Sequence, residues 1–140
     1  MASLVQFMVD DSSPTVFYAP FGDTFSSPNL SSGWNPHWDD PGFSSQHPGA
    51  IGSGTSLHIT SLDSASLVIQ WKGIGIKLVG NVTRASYDIT IDDQAMDAGS
   101  SEHLNDGTLF SVENLDDGDH KLILVVHTDG PVSVFAFDYA

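Results

Sequence analysis

Short runs of β-branched and aromatic residues, cut by turn residues at close intervals, dominate this chain and leave little room for anything but strands. SYDITI (Ser86–Ile91) alternates so that Tyr87, Ile89 and Ile91 share one face, and VSVFAFDYA repeats the period of two at the C-terminus. LVQFMV (Leu4–Val9), TVFYA, SLHITS, ASLVIQW, GIGIKLVG, TLFSV and HKLILVVH read as further strands, each bounded by Gly, Pro, Asn, Asp or Ser. LDDGDH carries a turn signal between the TLFSV and HKLILVVH strands and predicts a hairpin there. No segment holds a helical period over three turns. Roughly eight or nine short strands at this spacing predict an all-β fold, an antiparallel two-sheet β-sandwich of the jelly-roll kind. The chain has 140 residues, no internal repeat and no linker, so a single domain over residues 1–140 is expected.

Within GIGIKLVG, alternation puts Ile74, Ile76 and Leu78 on one face. Gly73 and Gly75 remove the intervening side chains, which suits a bulge or a close backbone approach.

Charge narrows the partners. The net charge is −14, and only Lys72, Lys77, Arg84 and Lys121 are positive. Nucleic acid and anionic membrane surfaces recruit clustered Lys and Arg, so neither is an expected partner. A neutral or cationic ligand fits better, as does a divalent cation among crowded carboxylates. There is no cysteine, which excludes disulfides, thiolate catalysis and Cys-zinc sites. The N-terminus lacks a basic region and a long apolar run, and nothing approaches a membrane span. A cytoplasmic or leaderless-secreted protein is the expectation.

The densest concentration of chemistry is GWNPHWDDPGF, residues 33–43, which holds two of the three tryptophans. Prolines and glycines predict an irregular loop over Pro20–Gly54, and long loops in compact domains are commonly functional. Trp34, His37, Trp38, Asp39 and Asp40 offer what a sugar site needs. Indole faces stack on the apolar C–H faces of a sugar ring, while imidazole and carboxylates fix its hydroxyls. The competing reading is that the tryptophans fold back and plug one end of the sandwich. Asn81 and Arg84, expected in a loop after GIGIKLVG, could add polar contacts, since the planar donor fork of Arg suits ring hydroxyls or a sugar carboxylate. A solvated ion pair is the plainer reading of Arg84.

The pairs Asp92/Asp93 and Asp116/Asp117 with Asp119 read as hairpin turns. His58, His120 and His127 read as half-buried strand histidines, with no spacing that signals zinc. Trp71, at the end of a strand, reads as core. No nucleophile elbow, phosphate loop or dinucleotide fingerprint is present, and no carboxylate pair is singled out for glycoside hydrolysis.

Taken along the chain, "VDDSSPTVFYAP", "SLHITS…ASLVIQWKGIGIKLVG", "SYDITIDD", "NLDDGDHKLILVV" and the closing "FAFDYA" resemble a group of basidiomycete fungal β-sandwich domains. These are similar to the galactose-binding-domain-like jelly rolls, which include many carbohydrate-binding modules. The resemblance covers essentially the whole chain and rests on strand and glycine pattern. It implies a non-catalytic, soluble lectin whose partners are glycans. In related modules an acidic residue near each terminus helps to hold a structural calcium. That implies a Ca²⁺ site at Asp10, Asp11 and Asp138, because calcium gathers hard oxygens from separate segments. The alternative is that Asp10 and Asp11 only cap the DDSSP turn. Two other functions stay open: a protein-interaction or adhesion domain with the tryptophan segment as hot spot, and a glycan-active hydrolase with dispersed carboxylates. The sequence shows no interface, so a homo-oligomer, in which repeated sites would add avidity, is neither indicated nor excluded.

Overall fold

The computed structural model describes residues 6–20, 33–41, 52–96, 107–130 and 133–140. Among them there is no helix, and ten strands form two antiparallel sheets. They are β1 (Val16–Ala19), β2 (Asn35–Pro41), β3 (Gly52–Thr60), β4 (Ser66–Gly73), β5 (Ile76–Thr83), β6 (Ala85–Ile91), β7 (Gln94–Met96), β8 (Thr108–Val112), β9 (Gly118–Thr128) and β10 (Val134–Tyr139). The first sheet has the order β1-β4-β9-β6-β7 and the second β2-β3-β10-β5-β8.

Strand alternation builds the core. In the first sheet the register aligns Val16, Ile69, Leu122 and Ile91 in one row and Tyr18, Leu67, Leu124 and Ile89 in the next. All eight are buried, so one face of this sheet is closed. The second sheet answers with Phe135 and Phe137 of β10, flanked by Val82 and Leu78 of β5. Tyr87 from the first sheet meets the Phe135 ring at 5.4 Å, and Tyr18 meets Phe137 at 6.4 Å. Burying one such ring is worth roughly 1.5–3 kcal/mol, so this aromatic seam carries much of the adhesion between the sheets. The Tyr87 hydroxyl donates to the Leu109 carbonyl, and burial pushes its phenol up to about 12.

Two glycines are fixed by contact. A Cβ on Gly75 would lie 2.3 Å from the Val112 carbonyl oxygen, and one on Gly80 would lie 2.1 Å from that of Ala136. The close approach expected at Gly75 is present.

Four local expectations are corrected. GIGIKLVG is not one strand, because Gly73 closes β4 and β5 opens at Ile76, which leaves Ile74 between strands and outside the alternation. LVQFMV is not a strand over its described residues 6–9. Only Asp10 makes a bridge, to Tyr139, while Val9 and Ala140 exchange backbone hydrogen bonds of 2.7 and 2.8 Å. LDDGDH is not a hairpin turn, because β8 and β9 belong to different sheets and the segment crosses between them. The tryptophan segment is not an irregular loop over Asn35–Pro41, since it forms β2 at the edge of the second sheet. Proline is tolerated there because an edge strand has an unpaired side that needs no N–H donor.

Candidate binding site

Trp34, the first tryptophan of the sequence motif, is fully buried. Its ring lies 5.1 Å from Tyr18 and meets Phe135 edge-on at 5.8 Å, and its Nε1 donates to the Ser66 carbonyl at 2.8 Å. A ring with no exposed face cannot stack on a sugar, so Trp34 is corrected from ligand platform to core. His37, Trp38, Asp39 and Asp40 have their backbone in β2, with Trp38 paired to Ser56 and Asp40 to Ser53. Their side chains lie outside the described residues.

Asn81 is exposed and sits within β5, not in a loop, opposite Ala136. It shares a row with Asn35 through Ala136 and Ile59 but is three strands away, about 14 Å at the usual strand spacing. Arg84 is exposed at the tight β5–β6 turn with φ of 53°, and its carbonyl accepts from Ser133 Oγ at 2.7 Å. The fold therefore does not set Asn81 against β2.

The acidic residues near the termini do converge in backbone terms, as Asp11 N–H donates to the Asp138 carbonyl at 2.9 Å. The side chains of Asp10 and Asp11 are committed elsewhere. Asp11 is fully buried, and its carboxylate takes Ser56 Oγ at 2.5 Å and His58 Nδ1 at 2.7 Å. The Tyr18 ring stacks on His58 at 4.1 Å, and the Tyr18 hydroxyl donates to the Asp11 carbonyl at 2.6 Å. Burial, then the Asp11 charge, push the Tyr18 phenol well above its ordinary range. Asp10 caps the turn by accepting from Ser12 Oγ at 2.5 Å. Among the described residues no group of three or more His, Asp or Glu side chains is arranged to hold a metal. Asp10, Asp11 and Asp138 thus do not fit a calcium site. Asp11 belongs to a buried polar network instead, and the turn-capping reading of Asp10 holds.

A different constellation gathers at one end of the first sheet. Trp71 of β4 and His120 of β9 are register partners, two residues beyond the buried pair Ile69 and Leu122. Their rings lie 5.3 Å apart. Beside them the β6–β7 turn bends through Asp92 and Asp93, at φ of 51° and 69°. Asp tolerates this left-handed conformation better than most residues. The turn aims the Asp92 carboxylate back at β9, where Oδ2 meets His120 Nδ1 at 2.6 Å and Oδ1 accepts the Lys121 N–H at 2.9 Å. His120 Nε2 meets the Asp116 carbonyl, from the β8–β9 crossover, at 2.6 Å. Gln70, Trp71, Asp92, Asp119, His120 and Lys121 line an open depression of about 460 Å³.

The electrostatics follow from the geometry. A neutral imidazole has one N–H and can serve only one of two acceptors, so acceptors at both ring nitrogens favour the imidazolium. The bond to Asp92 and then that to Asp116 raise the His120 pKa above its ordinary value. The His120 and Lys121 donors hold Asp92 below the ordinary carboxylate value. Trp71 is half-buried, and its Nε1 is covered with no hydrogen-bond partner among the described residues. Trp34 and Trp71 thus differ: one ring is fully buried and hydrogen-bonded, and the other is half-buried, packs against the edge of the core and lines the depression.

None of this site was singled out in the sequence. Asp92 reads as a turn residue, which it is; His120 reads as a half-buried strand histidine, which it also is; and Trp71 reads as core, which holds in part, since its ring packs against the core while lining the depression. The only sequence signal was a strand-ending Trp and a strand-opening His that both adjoin glycine turns, and that becomes informative only once β4 and β9 are known to pair.

Compared with known proteins, the chain matches no protein-family model, no curated protein and no solved structure.

Proposed function

We propose that the protein is a non-catalytic carbohydrate-binding protein, a lectin, whose site is the depression at Trp71. The observation that carries this reading is the placing of a half-buried indole beside the Asp92–His120 pair in an open, mixed polar and apolar pocket. An indole supplies a stacking surface for a sugar ring. Asp92 has lone pairs to spare for hydroxyl donors, and Gln70, Asp119 and Lys121 offer further polar contacts at the rim. The balanced charge of Asp92 with His120 suits a neutral ligand in an otherwise acidic protein. The resemblance to galactose-binding-domain-like fungal modules points the same way, and the observed two-sheet architecture accords with it.

The state of Asp92 speaks against one catalytic role, that of a glycosidase general acid. A glycosidase acid needs a raised pKa to be protonated near neutrality, whereas Asp92 is held low by its donors. A second reading, a protein-interaction domain, draws on three exposed large apolar residues, Phe7, Met8 and Phe17. A glycan array run with and without calcium tests the proposal. A glycan retained by the wild type and lost on Trp71→Ala supports it. An array with no ligand, or one whose ligand is unaffected by Trp71→Ala, removes it.

A further inference from the structure

Resting on that reading of the Trp71 depression, His120 adds a property of its own. Its two ring nitrogens are held by two separate chain segments. Nδ1 faces the Asp92 carboxylate in the β6–β7 turn at 2.6 Å, and Nε2 faces the Asp116 carbonyl in the β8–β9 crossover at 2.6 Å. The two segments are far apart in sequence and come from opposite sides of the pocket residue that joins them. We propose that His120 is a protonation-dependent clamp that holds the mouth of the Trp71 depression in its binding shape, so that glycan binding weakens as this imidazole loses its proton.

The mechanism is donor arithmetic. The imidazolium donates from both nitrogens and satisfies both acceptors at once. When one proton leaves, a single N–H remains. It stays with Asp92, because a hydrogen bond to a carboxylate is stronger than one to a neutral carbonyl. Nε2 then presents a lone pair to the Asp116 oxygen, and two acceptors facing each other at this distance repel. The crossover moves away on that side. Leu115 anchors the middle of the crossover, packed against the core with its N–H bonded to the Ile74 carbonyl at 2.8 Å, while Asp116 and Asp117 beyond it are exposed and free to shift. Releasing this contact frees one side of the His120 ring, which itself lines the depression.

Charged groups surround the imidazole. The β6–β7 turn contributes Asp92 and Asp93, the crossover Glu113, Asp116 and Asp117, and β9 its own Asp119 and Lys121. Lys72 of β4 is the register partner of Asp119. Of these charges Asp92 is the one that acts directly on the imidazole, and it favours the charged form. The other two strand histidines are placed differently. His58 is buried against Asp11, and His127 meets Asp88 at 2.6 Å and Asp63 at 3.7 Å on the opposite stretch of β9. Neither lines the depression.

The test uses the full chain, isotopically labelled, in a nuclear magnetic resonance titration from about pH 5 to about pH 9, spanning the histidine range. The strongest array glycan is then titrated at about pH 5.5 and about pH 8.5 against wild type, His120→Gln and His127→Gln. The expected result has three parts. The His120 ring titrates above 6.5, the ordinary value. The amides of residues 113–118 shift with the same midpoint. Wild-type affinity falls about tenfold between the two pH values, a coupling of ordinary size, whereas His127→Gln behaves as wild type and His120→Gln is flat. The clamp is overturned if His120 titrates at or below its ordinary value, if the crossover amides do not follow it, or if wild-type affinity is equal at both pH values. An array without any ligand sinks the glycan reading alone, and the amide titration then decides the clamp by itself.

Discussion

The indole Nε1 of Trp34 donates to the carbonyl of Ser66 at 2.8 Å, joining the lead-in to β2 of the second sheet to the first residue of β4 in the other. This bond runs between layers, whereas backbone ladders run within them. It explains why the ring is wholly buried yet polar-satisfied. Trp34→Ala removes the bond and opens a large cavity between Tyr18 and Phe135. The expected loss of stability is about 3–5 kcal/mol, the range for a buried Trp→Ala, read as a lower urea midpoint. Trp34→Phe should cost less, because it keeps most of the packing.

Trp71 should behave differently, with a smaller loss of stability, because its ring packs against the core only in part. Its indole is half-buried and lines the depression, so Trp71→Ala should weaken glycan binding by about 1–3 kcal/mol, as expected for a truncated aromatic anchor. The far-ultraviolet spectrum should remain that of a β-sheet protein. Parallel melting and affinity measurements on Trp34→Ala and Trp71→Ala would separate architecture from binding. Equal affinity in Trp71→Ala and wild type would assign the site elsewhere.

Stability should peak in mildly acidic solution on account of the Asp92–His120 pair. His120 has a folded pKa above 6.5, so its contribution is complete below 6.5 and is lost as pH rises through the folded value. Asp92 has a folded pKa below 3.8, so its contribution is present above 3.8 and is lost as pH falls through the folded value. Between those limits both are in place. Melting curves across pH should therefore show a decline on the alkaline side that is reduced in His120→Gln. A decline of the same size in that variant would place its origin in other groups.

Asp11 holds Ser56 and His58 in the interior. Asp11→Ala leaves both without that acceptor, and the expected cost is about 1–3 kcal/mol for each buried group left unsatisfied. Because these oxygens are already engaged, EDTA should leave the wild-type melting temperature unchanged. A clear drop on chelation would restore a metal to this region.

Gly80→Ala tests the backbone approach of β5 to β10. Its Cβ would lie 2.1 Å from a main-chain oxygen that cannot rotate away. Overpacking of this kind typically costs about 1–3 kcal/mol, seen as a reduced chemical denaturation midpoint. Gly118→Ala, where an added Cβ meets nothing within 4 Å, is the matched control.

What the sequence determined by itself is the all-β architecture and much of its inner surface. Tyr87, Ile89 and Ile91 had to share a face because strand side chains alternate, and a buried face must be apolar whatever it packs against. Gly75 was legible for the same local reason, since only a residue without a side chain admits a main-chain oxygen at that distance. The tertiary structure decided what long-range pairing decides. Trp34 and Trp38 look equivalent in GWNPHWDDPGF, yet whether Trp34 is platform or core depends on Tyr18, Ser66 and Phe135, which lie in three other strands. Pro36 and Pro41 look like loop residues until β2 is placed at a sheet edge, where a missing donor costs nothing. Trp71, Asp92 and His120 come from segments with no local pattern in common. Their meeting follows from β4 and β6 both pairing with β9, and strand order is set by the packing of the whole sandwich and not by any one segment.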